Sequence, residues 1–299
     1  MMKEQVKKIY EEQSRGTLKS LFWGVTVFLV VMGIISLFCG SPLPYKEQKI
    51  LGQALRSGWI IEKGYLLIIC VVFAAIAGVG SSFVAGAKIR HELSRVDCDL
   101  LHNCDAKRYL ETMEFAVSYG KELHFKGYQK TVFNLIQQRY VMALITQHLF
   151  EEAEVYLSTQ WVGNKNTVLY KHSKMNLRLV TYYYGKNVQE FNQLYQQDPA
   201  VFQKNKLFRA YSFILNNQLA ETVELLSGYK ENKPYYEVKR NDLLGRCYAA
   251  LGKIQEAKEC IEYVAEYGNT MPCKEQAEEW LLMYSGRLIG GSNEKRESD

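Results

Sequence analysis

The chain has 299 residues, 47% of them hydrophobic and 13% aromatic, and a formal net charge of +5 from 37 Lys and Arg against 32 Asp and Glu. The basic excess is uneven, with nine basic residues against five acids before position 88 (+4) and 28 against 27 from there on (+1). This excludes the basic domain of a nucleic-acid protein, and the seven cysteines form no even, closely spaced disulfide framework, which suits a reducing compartment.

Residues 1–19 carry Lys3, Lys7, Lys8, Arg15 and Lys19, with Val6, Ile9 and Tyr10 at roughly helical spacing, as in a short cytoplasmic juxtamembrane helix. Two uncharged apolar runs follow, Leu21 to Cys39 and Tyr65 to Ala87. At about 1.5 Å per residue, an apolar helix of roughly 20 residues spans the ~30 Å hydrocarbon layer, so the expectation is a transmembrane hairpin with spans at 20–39 and 65–87. The extracytoplasmic loop between them, 40–64, opens with Pro42 and Pro44 and continues through Ile50, Leu51, Ala54, Leu55 and Trp59, a pattern that predicts a surface helix. Basic residues number eight on the terminal side of the spans and four in the loop, which predicts cytoplasmic N- and C-termini and a two-span protein of a bacterial-type inner membrane. Ala74, Gly78, Ser82 and Gly86 recur every four residues. That stripe lets another helix approach closely, either the first span through Gly24, Gly33 and Ser36 or a second copy of the chain, making a homo-oligomer through the second span.

From Asp105 onward the chain reads as successive amphipathic helices. Turn-like residues His148, Gly185, Asn217 and Gly252 are separated by 37, 32 and 35 positions, and Pro199, Pro234 and Pro272 by 35 and 38. A period near 34 in helical sequence predicts stacked helix pairs. The last unit runs Leu244, Gly245, Tyr248, Gly252, Glu256, Ala257, Ile261 and Pro272, a large–small pair, an aromatic three residues on and a small residue in the second helix. In this it resembles the tetratricopeptide repeat family. Tyr140, Leu144, Phe150 and Ala153 follow the pattern in part, Phe213, Asn217 and Leu219 less so, with Thr222 in place of the usual alanine, and the unit at Tyr182-Tyr183-Tyr184-Gly185 by position only. The resemblance implies an α-solenoid over residues 97–286, and residues 287–299 read as a disordered tail.

No phosphate-binding glycine loop or nucleophile motif occurs, so neither catalysis nor a cofactor is expected. Cys98, His102 and Cys104 cluster without a second ligand pair, which leaves a helix-capping turn as the simpler reading than a metal site. Charge is more informative: Lys165 to Arg209 holds eight basic residues against Glu190 and Asp198, and Glu256 to Glu279 seven acids against Lys258 and Lys274. In the tetratricopeptide family the inner helix of each pair lines a concave groove. Carried over by position, this puts Tyr182, Lys204, Tyr211, Lys239 and Arg246 on the groove side, where they suit a protein or acidic peptide partner.

The expected class is thus all-α, a two-helix transmembrane hairpin followed by a tetratricopeptide-like solenoid. The expected role is a scaffold or adaptor that meets membrane lipid through its hairpin and a protein partner through its groove, without nucleic acid. A peptide-sensing or chaperone-like receptor and a small subunit of a transport or secretion complex remain alternatives.

Overall fold

The computed structural model describes residues 3–11, 22–30, 59–123, 129–197, 199–228 and 230–293, and all regular structure among them is helical. They divide into two units, residues 3–94 and 95–299.

In the first unit, helices α1 (3–11) and α2 (22–30) accompany the long helix α3, Trp59–Leu101. Helix α1 buries Val6, Ile9 and Tyr10, and α3 buries Ile89 and Leu93 at helical spacing. Lys8 bonds Glu92 at 3.3 Å and ties the two helices together. A Cβ placed on Gly24 of α2 would stand 3.8 Å from the Ala74 carbonyl, so this part of the small-residue stripe faces α2. Gly86 is half-buried, whereas the surroundings of Gly78 and Ser82 fall outside the described residues. So do Gly33, Ser36 and the surface helix expected from Ile50 to Leu55, while Trp59 is the first residue of α3.

The two-span membrane placement is corrected by the structure. Among the described residues no helix is long and apolar enough to cross a membrane. Of the first run only residues 22–30, helix α2, are described. The second run is not a separate span. It lies within the 43 residues of α3, which continue through Lys88, Arg90, His91, Glu92 and Arg95 and bury their later apolar positions against protein. The assignments that depended on two spans, termini on the cytoplasmic side and an extracytoplasmic loop, lose their basis with it.

The second unit begins with the last turns of α3 and continues through α4 (Ala106–Glu122), α5 (Gln129–Thr146), α6 (Phe150–Val155), which runs into a π-helical turn at Tyr156–Gln160, α7 (Val168–Tyr184) and α8 (Val188–Gln197). It ends with α9 (Pro199–Lys204), α10 (Lys206–Leu215), α11 (Leu219–Ser227), α12 (Pro234–Ala250), α13 (Ile254–Tyr267) and α14 (Pro272–Asn293). Four of its connections are the same turn. His148, Lys186, Asn217 and Gly252 all adopt left-handed backbone, with φ of 60°, 55°, 58° and 75°. In each, the next residue's amide bonds a carbonyl five positions back: Leu149 to Leu144, Asn187 to Tyr182, Gln218 to Phe213 and Lys253 to Tyr248, at 2.8–3.0 Å. The left-handed residue itself bonds three positions back, to Ile145, Tyr183, Ile214 and Ala249. These are Schellman closures, which satisfy the orphan carbonyls of the first helix and turn the chain straight into the second.

The turns align the helices around them. Seven positions before the left-handed residue stand Val141, Leu179, Ala210 and Gly245; five positions after it stand Ala153, Phe191, Thr222 and Ala257. Every side chain in both sets is at 0% exposure, Gly245 apart, which has none. These are the contact points of each helix pair. Where the residues are smallest the helices come closest: a Cβ on Gly245 would meet Ile261 Cγ1 at 2.8 Å and the Ala257 carbonyl at 3.5 Å.

Two polar clusters tie helices together, one between α3, α4 and α5 and one between α11 and α12. Arg139 of α5 clasps Asp97 of α3 through Nε at 2.9 Å and Nη2 at 2.9 Å, and Tyr109 donates its hydroxyl to the same carboxylate at 3.0 Å. On α12, Glu237 accepts from the Glu231 amide at 2.9 Å and from Arg240 Nε at 3.0 Å, while Arg240 donates to the Leu226 carbonyl of α11 at 3.0 Å. Burial alone would raise the Glu237 pKa; the bonds from Arg240, the Glu231 amide and Asn241 outweigh it and hold the carboxyl below its ordinary range. Helix α12 is thereby locked in rotation, which decides what its inner face presents.

Replacing Gly245 by Leu is expected to destabilise the protein by about 1 to 3 kcal/mol through overpacking against Ile261. A chemical-denaturation midpoint that does not fall in that variant would show that α12 and α13 do not cross at this point.

Candidate functional site

The inner helices α5, α7, α10 and α12 share a register, and the position six before each left-handed turn is Met142, Val180, Tyr211 and Arg246. The first three line one cleft of about 510 Å³. Helix α5 adds Ile145; α7 adds His172, Met175 and Asn176; α10 adds Leu207 and Phe208; α12 adds Tyr235, Tyr236 and Lys239. Lys204 and Asn205 enter from the break between α9 and α10.

That break follows from Asn205. Its backbone is extended, and its side chain accepts from the amides of Leu207 at 3.1 Å and Phe208 at 3.2 Å, capping α10 and interrupting what would otherwise be one inner helix. Lys204, just before the cap, stands exposed at the rim. Neither Lys204 nor Lys239 has a carboxylate within ion-pairing distance among the described residues, and no Asp or Glu lines the cleft.

Lys239 sits in tyrosines. Its Nζ lies 5.1 Å from the centre of the Tyr235 ring, a cation–π distance. Tyr211 is buried and stacked on Tyr183 at 4.1 Å with 23° between planes, and Tyr235 shares a hydrogen bond with Thr146 at 3.2 Å. Burial pulls the Lys239 pKa down, while charge interaction with Tyr235, Tyr211 and Tyr184 as those phenols ionise, and a hydrogen bond with Tyr235, raise it. Burial also keeps the Tyr184 and Tyr211 hydroxyls neutral past their usual pKa. The amine thus stands against the Tyr235 face, with no carboxylate at ion-pairing distance among the described residues.

Two turns along α12 the charge is already used. Arg246 Nε donates to Asp242 Oδ1 at 2.9 Å and its Nη2 to Gln276 Oε1 of α14 at 2.7 Å. Burial lifts the Asp242 carboxyl above its ordinary pKa even beside that guanidinium. Between Lys239 and Asp242, with Thr146, His148, Tyr184 and Tyr211 and the apolar Leu243, Met271 and Pro272, lies a cavity of about 10 Å³, the size of one water.

The five residues expected to line the groove thus separate. Lys204, Tyr211 and Lys239 meet in the cleft. Arg246 faces two neighbouring hollows and is neutralised in place. Tyr182 shares the turn position of Leu144, Phe213 and Tyr248, about 100° around the helix from the ring that does face inward, Tyr183 on Tyr211. Sequence reasoning missed Asn176, Asn205, Met175 and Phe208. The register of the left-handed turns is the signal that finds Asn176 and Leu207, which align with Asp242 ten positions before the turn. Elsewhere, the burial of Cys104 raises its thiol to about 11, and among the described residues no three His, Cys, Asp or Glu side chains are grouped to hold a metal ion.

Fold and cleft together define an all-α protein with four helix pairs joined by one kind of turn and a cleft lined by aromatic residues and two lysines. Compared with known proteins, the chain matches no family model, no curated protein and no solved structure.

His148, in its left-handed turn, packs between Phe150 and Tyr184, and its pKa falls to about 4, through burial first and then the charges of Lys239 and Arg246. The folded state then binds fewer protons than the unfolded one between pH 6.5 and about 4, so this residue's contribution is complete above pH 6.5 and lost as pH falls toward 4. His148→Asn, which tolerates the left-handed turn, is expected to show a smaller loss of urea midpoint than the native chain between pH 7 and pH 5. Equal losses would mean that His148 titrates normally in the fold.

Proposed function

We propose that the protein is a tetratricopeptide-like adaptor that holds an acidic segment of a partner protein in the cleft between α5, α7, α10 and α12. The observation that carries this reading is Lys239, an ammonium without a carboxylate partner at the wall of a 510 Å³ cleft that no acid lines. A cation so placed has lost part of its hydration without an ion pair in return, and an incoming carboxylate regains it. Lys204 at the rim adds a second charge and draws anions toward the cleft. The conformity of four helix pairs to one turn geometry supports the repeat reading. Repeats of this kind present a continuous concave face for an extended ligand.

The test is a photo-crosslinking amino acid at Met175 in the full chain, expressed in cells, followed by mass-spectrometric identification of the joined peptide. Partner segments rich in Asp or Glu are expected, and the double variant Lys204→Glu, Lys239→Glu should lower their yield at least about tenfold. Undiminished crosslinks from that variant would remove the cleft as the binding face.

A further inference from the structure

The cleft is only partly basic, and its other surfaces say more about what it holds. Charge is limited to two free lysines, because Arg246 is neutralised by Asp242 and Gln276. Met142, Met175, Leu207 and Phe208 give the same cleft an apolar lining, with two thioethers that adapt to irregular shapes. A run of acids would leave most of its charges facing this lining unpaired, at a desolvation cost.

The lining also includes two half-used amides, Asn176 and Asn205. Asn205 spends its oxygen on the α10 amides, which leaves its NH₂ free to donate; Asn176 donates to the Met142 sulfur at 3.6 Å, which leaves its oxygen free to accept. One free donor and one free acceptor are what the C=O and N–H of an extended peptide require. A simple fatty acid has no use for the acceptor. The volume of about 510 Å³ lies inside the ~300–1,000 Å³ of sites that enclose ligands of several groups, more than a lone carboxylate fills.

We infer that the occupant is a peptide segment in which a single acidic side chain adjoins a large apolar one, the acid on Lys239 and Lys204, the apolar group against Met175 and Phe208, and the main chain between Asn176 and Asn205. This rests on the proposed acidic-segment reading and specifies it.

The test uses the full chain and fluorescein-labelled peptides with amidated C-termini, read by anisotropy. The parent contains Glu-Phe between Gly-Ser flanks; others carry Gln-Phe, Glu-Ser and Glu-Glu-Glu in its place, and dodecanoate serves as competitor. The parent is expected to bind, with Gln-Phe and Glu-Ser each at least about tenfold weaker and Glu-Glu-Glu no tighter than Glu-Ser. Lys239→Gln should weaken the parent about tenfold and narrow the difference between Glu-Phe and Gln-Phe to the few-fold that Lys204 supplies. Lys204→Gln, at an exposed position that folding does not depend on, should weaken the parent a few-fold. If Glu-Glu-Glu binds as tightly as the parent and loses affinity in Lys239→Gln, the acid–apolar inference falls while the acidic-segment reading stands. If dodecanoate binds and the peptides do not, the occupant is an amphiphile and both fall, as they do if no peptide binds or if neither lysine variant changes parent binding.

Discussion

The left-handed turn that ends each inner helix is the constraint on which the second unit depends. It fixes the phase of two helices at once. Counting back from it places Val141, Leu179, Ala210 and Gly245 in the contact of each pair, and counting forward places Ala153, Phe191, Thr222 and Ala257 opposite. The next position round each inner helix is Met142, Val180, Tyr211 and Arg246, of which the first three line the cleft and the last lines the hollows beside it. The cleft is therefore a by-product of helix-pair geometry, and its chemistry is whatever the sequence writes at a few phased positions.

Unequal side chains at equal positions explain why these units differ so much in sequence. Phe191 and Ala257 occupy the same place, yet the helix facing Phe191 carries Leu179 and that facing Ala257 carries Gly245. The close crossing at Gly245 brings α12 and α13 together, and the Glu237–Arg240 cluster then ties α12 back to α11. Thr222 remains in the interior because its hydroxyl donates to the Gln218 carbonyl at 2.8 Å, so a polar residue costs little where the pattern has alanine. Packing tolerates the substitutions because the turn, not the side-chain volume, sets the register.

The repeat is legible in the sequence to the extent that turn residues are. Asn217 and Gly252 are residues that tolerate left-handed backbone, and His148 is marked by its spacing. Gly185 misleads by one position: it closes α7 with φ near −75°, and the left-handed residue is Lys186. That single step turns a helix by about 100°, which separates Tyr182 from the cleft and puts Tyr183 on Tyr211. Helix α3 departs from its expected form for another reason. A window of apolar residues says nothing about where the helix containing it stops, and α3 carries on from the uncharged run into Ile89, Leu93, Val96 and Leu100, whose spacing of four, three and four buries them. Exposed apolar residues of the first unit include Phe22, Trp23, Leu29 and Ile76.

Arg246 and Lys239 show why charge counted along a sequence does not give charge available at a surface. Both lie on one face of α12, seven residues apart, and both are cations beside tyrosines. Asp242 lies between them, four residues before Arg246 and three after Lys239. Spacing alone would allow either pair, since both distances are helical neighbours. The bond goes to Arg246, whose planar fork reaches Asp242 and Gln276 together, whereas the flexible lysine stem turns to the Tyr235 ring. The carboxylate therefore silences one cation and leaves the other open, and the cleft inherits its positive character from that choice of partner.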